Sequence, residues 1–205
     1  MRLELPAFLP DTLRSNVSRV ALIDGQMLFR QGDSVEYIYY VRRGELLAVR
    51  YLPDGTEAVM QRARQGEFFG QSAIAVSHYA CDARARSATD VVRLPVRRLT
   101  EALVSDGAFA LAFATQLASD LRRQCTRVER LRFRRASDRL LHFLVCEGTM
   151  PEAGIPLVEL AQELGLDATT LSRTITDLRA KGDVVGRGRS VRLAPARSQR
   201  PPTAG

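Results

Sequence analysis

Histidine is scarce in this chain of 205 residues: His78 and His142 are the only two, too few for a histidine-built metal centre. Cysteine is scarce as well. Cys81, Cys125 and Cys146 form an odd, scattered set that suits a reducing compartment and cannot supply four thiolates to an iron–sulfur cluster. No apolar run approaches the length of a bilayer span, so no membrane partner is expected. The opening stretch MRLELPAFLPDTLRSNV lacks the continuous apolar core and small-residue cleavage site of a secretory leader, and a cytoplasmic location follows as an expectation. With 45% hydrophobic and 26% charged residues, the composition is that of a globular chain, which excludes collagen-like, mucin-like and wholly disordered readings.

What is present is charge, unevenly placed. The net formal charge is +7. Residues 1–120 hold 14 basic and 14 acidic side chains, while residues 121–146 hold 8 basic and 2 acidic. Residues 167–200 hold 8 basic and 3 acidic. A neutral front and a basic back suggest a sensing part joined to a polyanion-binding part. The stripe Arg122, Arg123, Arg127, Arg130, Arg132, Arg134 and Arg135 reads as the solvated surface of a helix flanking a coiled coil, with binding of an anionic effector or steering of DNA as the alternatives.

Between residues 20 and 96 the sequence reads as short strands. Gly32, Gly44, Gly55 and Gly66 recur every 11 or 12 residues, separating segments with aromatic and β-branched content at 37–41, 45–51 and 57–62. That spacing argues an antiparallel sandwich or barrel. Pro53-Asp54-Gly55-Thr56 is a hairpin turn, because Asp-Gly accepts the positive φ such turns require. Around Leu99 the pattern becomes helical. Residues 108–131 contain no glycine or proline, and Leu117, Leu121, Gln124, Val128 and Leu131 fall at spacings of 4, 3, 4 and 3, a coiled-coil seam of roughly two heptads. A helix pairing with its own copy along that seam is expected. A further helix at 136–146 ends at Gly148, and 194–205 reads as a disordered tail.

The densest signal lies in 155–193. Leu157, Leu160, Ala161 and Leu164 share one face of a short helix that Gly165 ends. Asp167 stands as an N-cap, able to accept from the N–H of Thr169 or Thr170. The next helix, 168–180, is expected to bury Leu171, Ile175 and Leu178 and to turn Ala168, Thr169, Ser172, Arg173 and Thr176 outward. Two helices around a tight glycine turn describe a helix-turn-helix. The following stretch, 183–193, reads as two strands around Gly-Arg-Gly, a basic wing. Arginine makes a forked pair of bonds to guanine, so Arg173 is the candidate base reader, with Thr169, Ser172 and Thr176 beside it. Thr170, Arg179, Lys181, Arg187 and Arg189 are candidates for phosphate contacts, which need only charge or a donor.

The order of these parts resembles the CRP/FNR regulators. The stretches carrying it are GQMLFRQGDSVEYIYYVRRGELLAVRYLPDGTEAVMQRARQGEFFG (25–70) and LVELAQELGLDATTLSRTITDLRAKGDVV (157–185). The resemblance extends over about 180 residues. It implies an α+β chain: an N-terminal antiparallel β jelly roll that senses an effector (1–98), a long dimerisation helix (99–135) and a C-terminal winged helix-turn-helix (136–193). It also implies a homodimer on a palindromic DNA operator, with RNA polymerase as a further partner. Relatives that bind cyclic AMP carry Gly-Glu-Leu and then Arg-Ser in a phosphate cassette. Here the cassette reads Phe69-Gly70-Gln71-Ser72-Ala73, and Cys81-Asp82 stands at the Arg-Ser position. A carboxylate facing a phosphate is repulsive, so an effector other than cyclic AMP, or none, is expected. An effector pocket would draw on Gly70, Gln71, Ser72, Arg84, Gln124 and Cys125. The alternative is a cyclic-nucleotide response using Arg84 or Arg86 for the phosphate, or a nucleotide-binding module that controls a protein partner.

In the second helix, Ala168 and Thr169 replace the Arg and Glu of cyclic-AMP-responsive relatives, and Ser172-Arg173 resembles the Ser-Arg pair of the FNR branch. The FNR cluster cysteines are absent. Haem could be reached only through His78 or Cys81, and Cys81 or Cys125 could sense redox state. A jelly-roll oxygenase would need clustered histidines and carboxylates, which two isolated histidines do not supply. No catalytic residue, metal ligand or cofactor is assigned.

Overall fold

The computed structural model describes residues 5–51, 53–55, 57–148, 157–186 and 190–195. The chain divides into two compact units, Met1–Leu117 and Ala118–Gly205.

The first unit contains eight strands: β1 (Ser18–Leu22), β2 (Met27–Phe29), β3 (Tyr37–Arg43), β4 (Glu45–Tyr51), β5 (Glu57–Arg64), β6 (Phe68–Phe69), β7 (Asp82–Ala85) and β8 (Thr89–Pro95). They form two antiparallel sheets with neighbour orders β1-β8-β3-β6 and β2-β7-β4-β5. The chain changes sheet at every connection except the β4–β5 hairpin, which is jelly-roll topology.

The glycine period has a backbone cause: Gly32, Gly44, Gly55 and Gly66 all lie at positive φ, where the chain reverses between strands. Gly44 is doubly constrained. A Cβ there would stand 2.5 Å from Thr89 Oγ1. That buried hydroxyl accepts the Glu45 N–H at 3.1 Å and donates to Ser87 O at 2.9 Å, tying β4 to the start of β8.

Strand β3 shows how the unit is layered. Alternate side chains of a strand face opposite ways. Tyr39 and Val41 enter the core between the sheets, with Leu46, Ala48, Ala83 and Ala85. Ile38 faces the other side and packs with Leu94, Leu99, Phe109 and Phe113 beneath the helices. The helices of this unit are α1 (Asp11–Arg14), α2 (Val96–Ser105) and the first part of α3 (Gly107–Arg132). The helical stretch expected from about Leu99 is therefore two helices. Asp106 takes extended dihedrals that stop α2, and its Oδ1 accepts the Phe109 N–H at 2.9 Å, which starts α3.

The second unit holds the rest of α3, then α4 (Ala136–Glu147), α5 (Leu157–Glu163), α6 (Ala168–Ala180) and the short strands β9 (Val184–Val185) and β10 (Arg192–Leu193). Its core joins Leu140, Leu144, Leu160, Leu164, Leu171, Ile175, Leu178, Val184 and Val191. Each such side chain contributes about 1.5–3 kcal/mol by leaving water.

One expectation is corrected here. The arginine stripe of α3 is not uniformly solvated. Arg130 is 1% exposed, its guanidinium 4.7 Å from the Phe143 ring centre and 3.4 Å from both Glu147 and Glu163. It lies on the inner side of α3, where two carboxylates and an aromatic face offset desolvation. Arg127, half-buried, is 3.7 Å from Glu163. Arg122, Arg123, Arg132, Arg134 and Arg135 are exposed as expected. Among the described residues no single helix is long and apolar enough to cross a membrane. The tail expected to be disordered lies outside the described residues from 196 onward.

Candidate nucleic-acid interface

The interface is built from the α5 turn upward. Leu160, Ala161 and Leu164 are buried along one side and Leu157 is partly so. At the end of α5, Leu166 N–H reaches Ala161 O at 2.7 Å and Gly165 N–H reaches Gln162 O at 3.1 Å. This paired closure is a Schellman stop, with Gly165 at φ +63° as its left-handed residue. Asp167 then caps α6. Its Oδ1 accepts the Thr170 N–H at 2.7 Å and its Oδ2 the Thr170 hydroxyl at 2.6 Å. Those two bonds favour the charged carboxylate and hold its pKa below the ordinary aspartate value.

Leu171, Ile175 and Leu178 are buried, as the periodicity requires. Thr174 is buried too, which the leucine and isoleucine spacing of α6 does not signal. Its hydroxyl bonds back to Thr170 O at 2.8 Å, so a polar side chain is satisfied within the helix. The opposite side of α6 is open. Ala168, Thr169, Ser172, Arg173 and Thr176 line one shallow depression there. Of its polar members, Thr176 donates to Ser172 O at 3.1 Å. Among the described residues, no other protein group engages the Thr169 and Ser172 hydroxyls or the Arg173 guanidinium.

The other basic and hydroxyl candidates are less uniform. Thr170 is half-buried and its hydroxyl is committed to the cap. Arg179 turns toward the wing and donates to Ser190 O at 3.4 Å. Lys181 is exposed just past the helix. The wing itself is an antiparallel pair, Arg192 opposite Val185 and Leu193 opposite Val184. Gly186 leaves β9 at φ +128°, where a Cβ would lie 2.1 Å from Ser190 O. Arg187 and Arg189 lie outside the described residues.

The residues assigned to an effector pocket fall in both units. In the first, Gly70 (φ +80°) is followed by a 3-10 turn, Gln71–Ala73, in which Gln71 is buried and Ser72 exposed. Asp82 Oδ1 accepts the Gln31 N–H at 2.7 Å. Arg84 is paired with Glu57 on β5 at 2.7 Å. Gln124 and Cys125 are exposed on α3 in the second unit. Of the thiols, burial pushes Cys81 and Cys146 above the ordinary cysteine value, away from the reactive thiolate. His78 is exposed, and among the described residues no cluster of three metal-ligating side chains occurs.

The seam residues differ along α3. Leu117 packs against the first unit's core beside Phe109 and Phe113. Leu121, Val128 and Leu131 are exposed by 64%, 56% and 40% in the single chain. These three apolar side chains lie along one water-facing stripe of the helix.

Residues 19–106 match the cyclic nucleotide-binding domain family. The transcriptional activator protein FnrA of Stutzerimonas stutzeri is 26% identical over 179 residues, covering 82% of this chain and 73% of that protein. The cAMP-activated global transcriptional regulator CRP of Pasteurella multocida is 22% identical over 175 residues, covering 80% and 84%. Among solved structures, FixK2 from Bradyrhizobium japonicum shares the fold with a TM-score of 0.69 at 21% identity, over 88% of this chain and 94% of that one.

Proposed function

We propose that this chain, a member of the CRP/FNR family of transcription regulators, is a homodimer that reads a two-fold symmetric operator through α6. The observation that carries the reading is the outer face of α6: Thr169, Ser172 and Arg173 stand together and exposed, their two hydroxyls and guanidinium engaged by no other described residue, on a helix capped firmly at its start. At about 1.5 Å per residue the helix is about 20 Å long, and a major groove about 12 Å wide admits it. Its carboxylate cap and buried face hold the reading side chains in fixed relation to each other. The exposed stripe Leu121–Val128–Leu131 supplies the pairing surface between copies. RNA polymerase and the cytoplasm complete the reading, and no enzymatic step is part of it. Selection of duplexes from a random library by the full chain tests it. A two-fold symmetric consensus bound by a dimer is expected, and absence of any selected sequence would overturn the assignment.

The effector proposed is not cyclic AMP. The domain match favours a nucleotide, but the side chains do not favour this one. By resemblance, Gln71 stands in place of a ribose-binding glutamate and Cys81-Asp82 in place of the phosphate-binding Arg-Ser, and Arg84 is held by Glu57. Losing two charge-assisted bonds of about 1.5–3 kcal/mol each weakens binding by two decades or more. Calorimetry with cyclic AMP and cyclic GMP is expected to show no micromolar binding. Micromolar affinity accompanied by tighter operator binding would make Arg84 or Arg86 the phosphate ligand.

A further inference from the structure

Arg139, on the first turns of α4, sends its guanidinium to four carbonyl oxygens on two separate elements of the second unit. Nε donates to Phe133 O at 2.8 Å and Nη2 to Leu131 O at 3.5 Å, both at the C-terminal end of α3. Nη1 donates to Leu164 O at 3.2 Å and Gly165 O at 2.9 Å, in the turn between α5 and α6. The carbonyls at a helix end have no intrahelical donor, and a rigid planar fork can serve two such ends at once. The same joint is packed tightly. A Cβ on Gly165 would lie 2.8 Å from Leu131 Cδ2 and 3.0 Å from Arg139 Nη1, so the turn is in close contact with both side chains.

We propose that Arg139 is a specificity-positioning residue: it locks the helix-turn-helix onto the end of α3 and thereby sets which half-site spacing the dimer accepts. The inference rests on the operator-reading dimer proposed above. In such a dimer the two α3 helices fix the central axis, and the joint between α3 and the turn fixes how far apart the two α6 helices are held. Half-site spacing is a geometric consequence of that separation. None of its hydrogen bonds goes to a reading residue of α6, so Arg139 acts through the joint. A loosened joint lets each α6 still find its half-site while the preferred spacing becomes less strict.

The test uses the full-length dimer and the duplex that the wild-type protein selects from a random library, together with versions whose spacer is shortened or lengthened by one to three base pairs. Wild type should favour one spacing sharply. Arg139→Ala should stay dimeric and flatten that preference by about fivefold or more, a coupling of ordinary size. Arg139→Lys should flatten it too, since an ammonium cannot span both sets of carbonyls, and it carries the test if the alanine variant fails to fold. Amide exchange at Leu164, Gly165 and Leu166 should quicken in both. A variant that binds every spacing more weakly but in wild-type proportion shows a merely structural role and overturns the proposal. If wild type selects no duplex, the operator reading itself has failed; unchanged exchange at the turn would then show separately that the clamp does not exist.

Discussion

The two units use arginine in opposite ways. In the first, charge is spent internally. Arg19 and Arg42 share Asp90, Arg62 and Arg64 share Glu45, Arg84 meets Glu57, and Arg97 and Arg98 share Glu101. In the second, Arg130 and Arg127 are drawn into the fold by Glu147 and Glu163, but no carboxylate of the described residues pairs with Arg173, Lys181 or Arg192. An exposed pair between opposite charges is worth little to stability, so leaving these cations unpaired costs the fold almost nothing. It leaves them available to phosphates, whose counterions are released on contact. The difference separates a unit in which these arginines pair with its own carboxylates from one that leaves Arg173, Lys181 and Arg192 without a carboxylate among the described residues.

The comparison breaks most completely if the second unit has no partner copy. Leu121→Asp places a charge in the stripe, where burial of each leucine against the proposed partner copy would contribute about 1.5–3 kcal/mol. Sedimentation should show monomers, and operator binding should be lost. A dimeric Leu121→Asp protein would remove this stripe from the interface.

The next effect sharpens the distinction within the cations themselves. Arg173→Ala should cost about 1–3 kcal/mol per half-site and relax the preference at one base pair. Lys181→Ala should weaken all sequences about equally and lower the salt slope by about one unit. Affinities for a panel of single-base operator variants at several salt concentrations separate the two. An unchanged base preference in Arg173→Ala would reassign the reading face.

The smallest effect concerns the cap. The folded pKa of Asp167 is held below its unfolded value of about 3.9. Its stabilising contribution is therefore complete well above that pH and is lost as pH falls through the lowered value. Thermal unfolding of Asp167→Asn, which keeps a capping oxygen, should depend less steeply on acid than wild type. Equal acid slopes would show that the cap's charge contributes nothing.

Much of this anatomy is legible in the sequence because it is local. Gly32, Gly44, Gly55 and Gly66 mark reversals that need positive φ, and Gly165 followed by Asp167 closes one helix and opens the next within three residues. Asp106 was harder to read. A single aspartate between two apolar helical stretches looks like an ordinary surface residue until its carboxylate is seen on the Phe109 N–H. Arg130 and Arg139 were not legible at all. Their partners, Glu147, Glu163, Leu164 and Gly165, lie 17 to 33 residues away, and periodicity on α3 and α4 gives no sign that a cation is turned inward.

Helix α3 runs unbroken from Gly107 to Arg132, and its exposed Leu121, Val128 and Leu131 lie along one stripe of the second unit. Over that stretch the helix behaves as a keyed shaft. Each residue advances the backbone by about 100° of rotation. Insertion of one residue between Leu121 and Val128 would turn Leu121 out of line with the other two by more than a quarter revolution, whereas four residues would nearly restore the phase. Chain length in this stretch is thus fixed by an angle rather than by a distance.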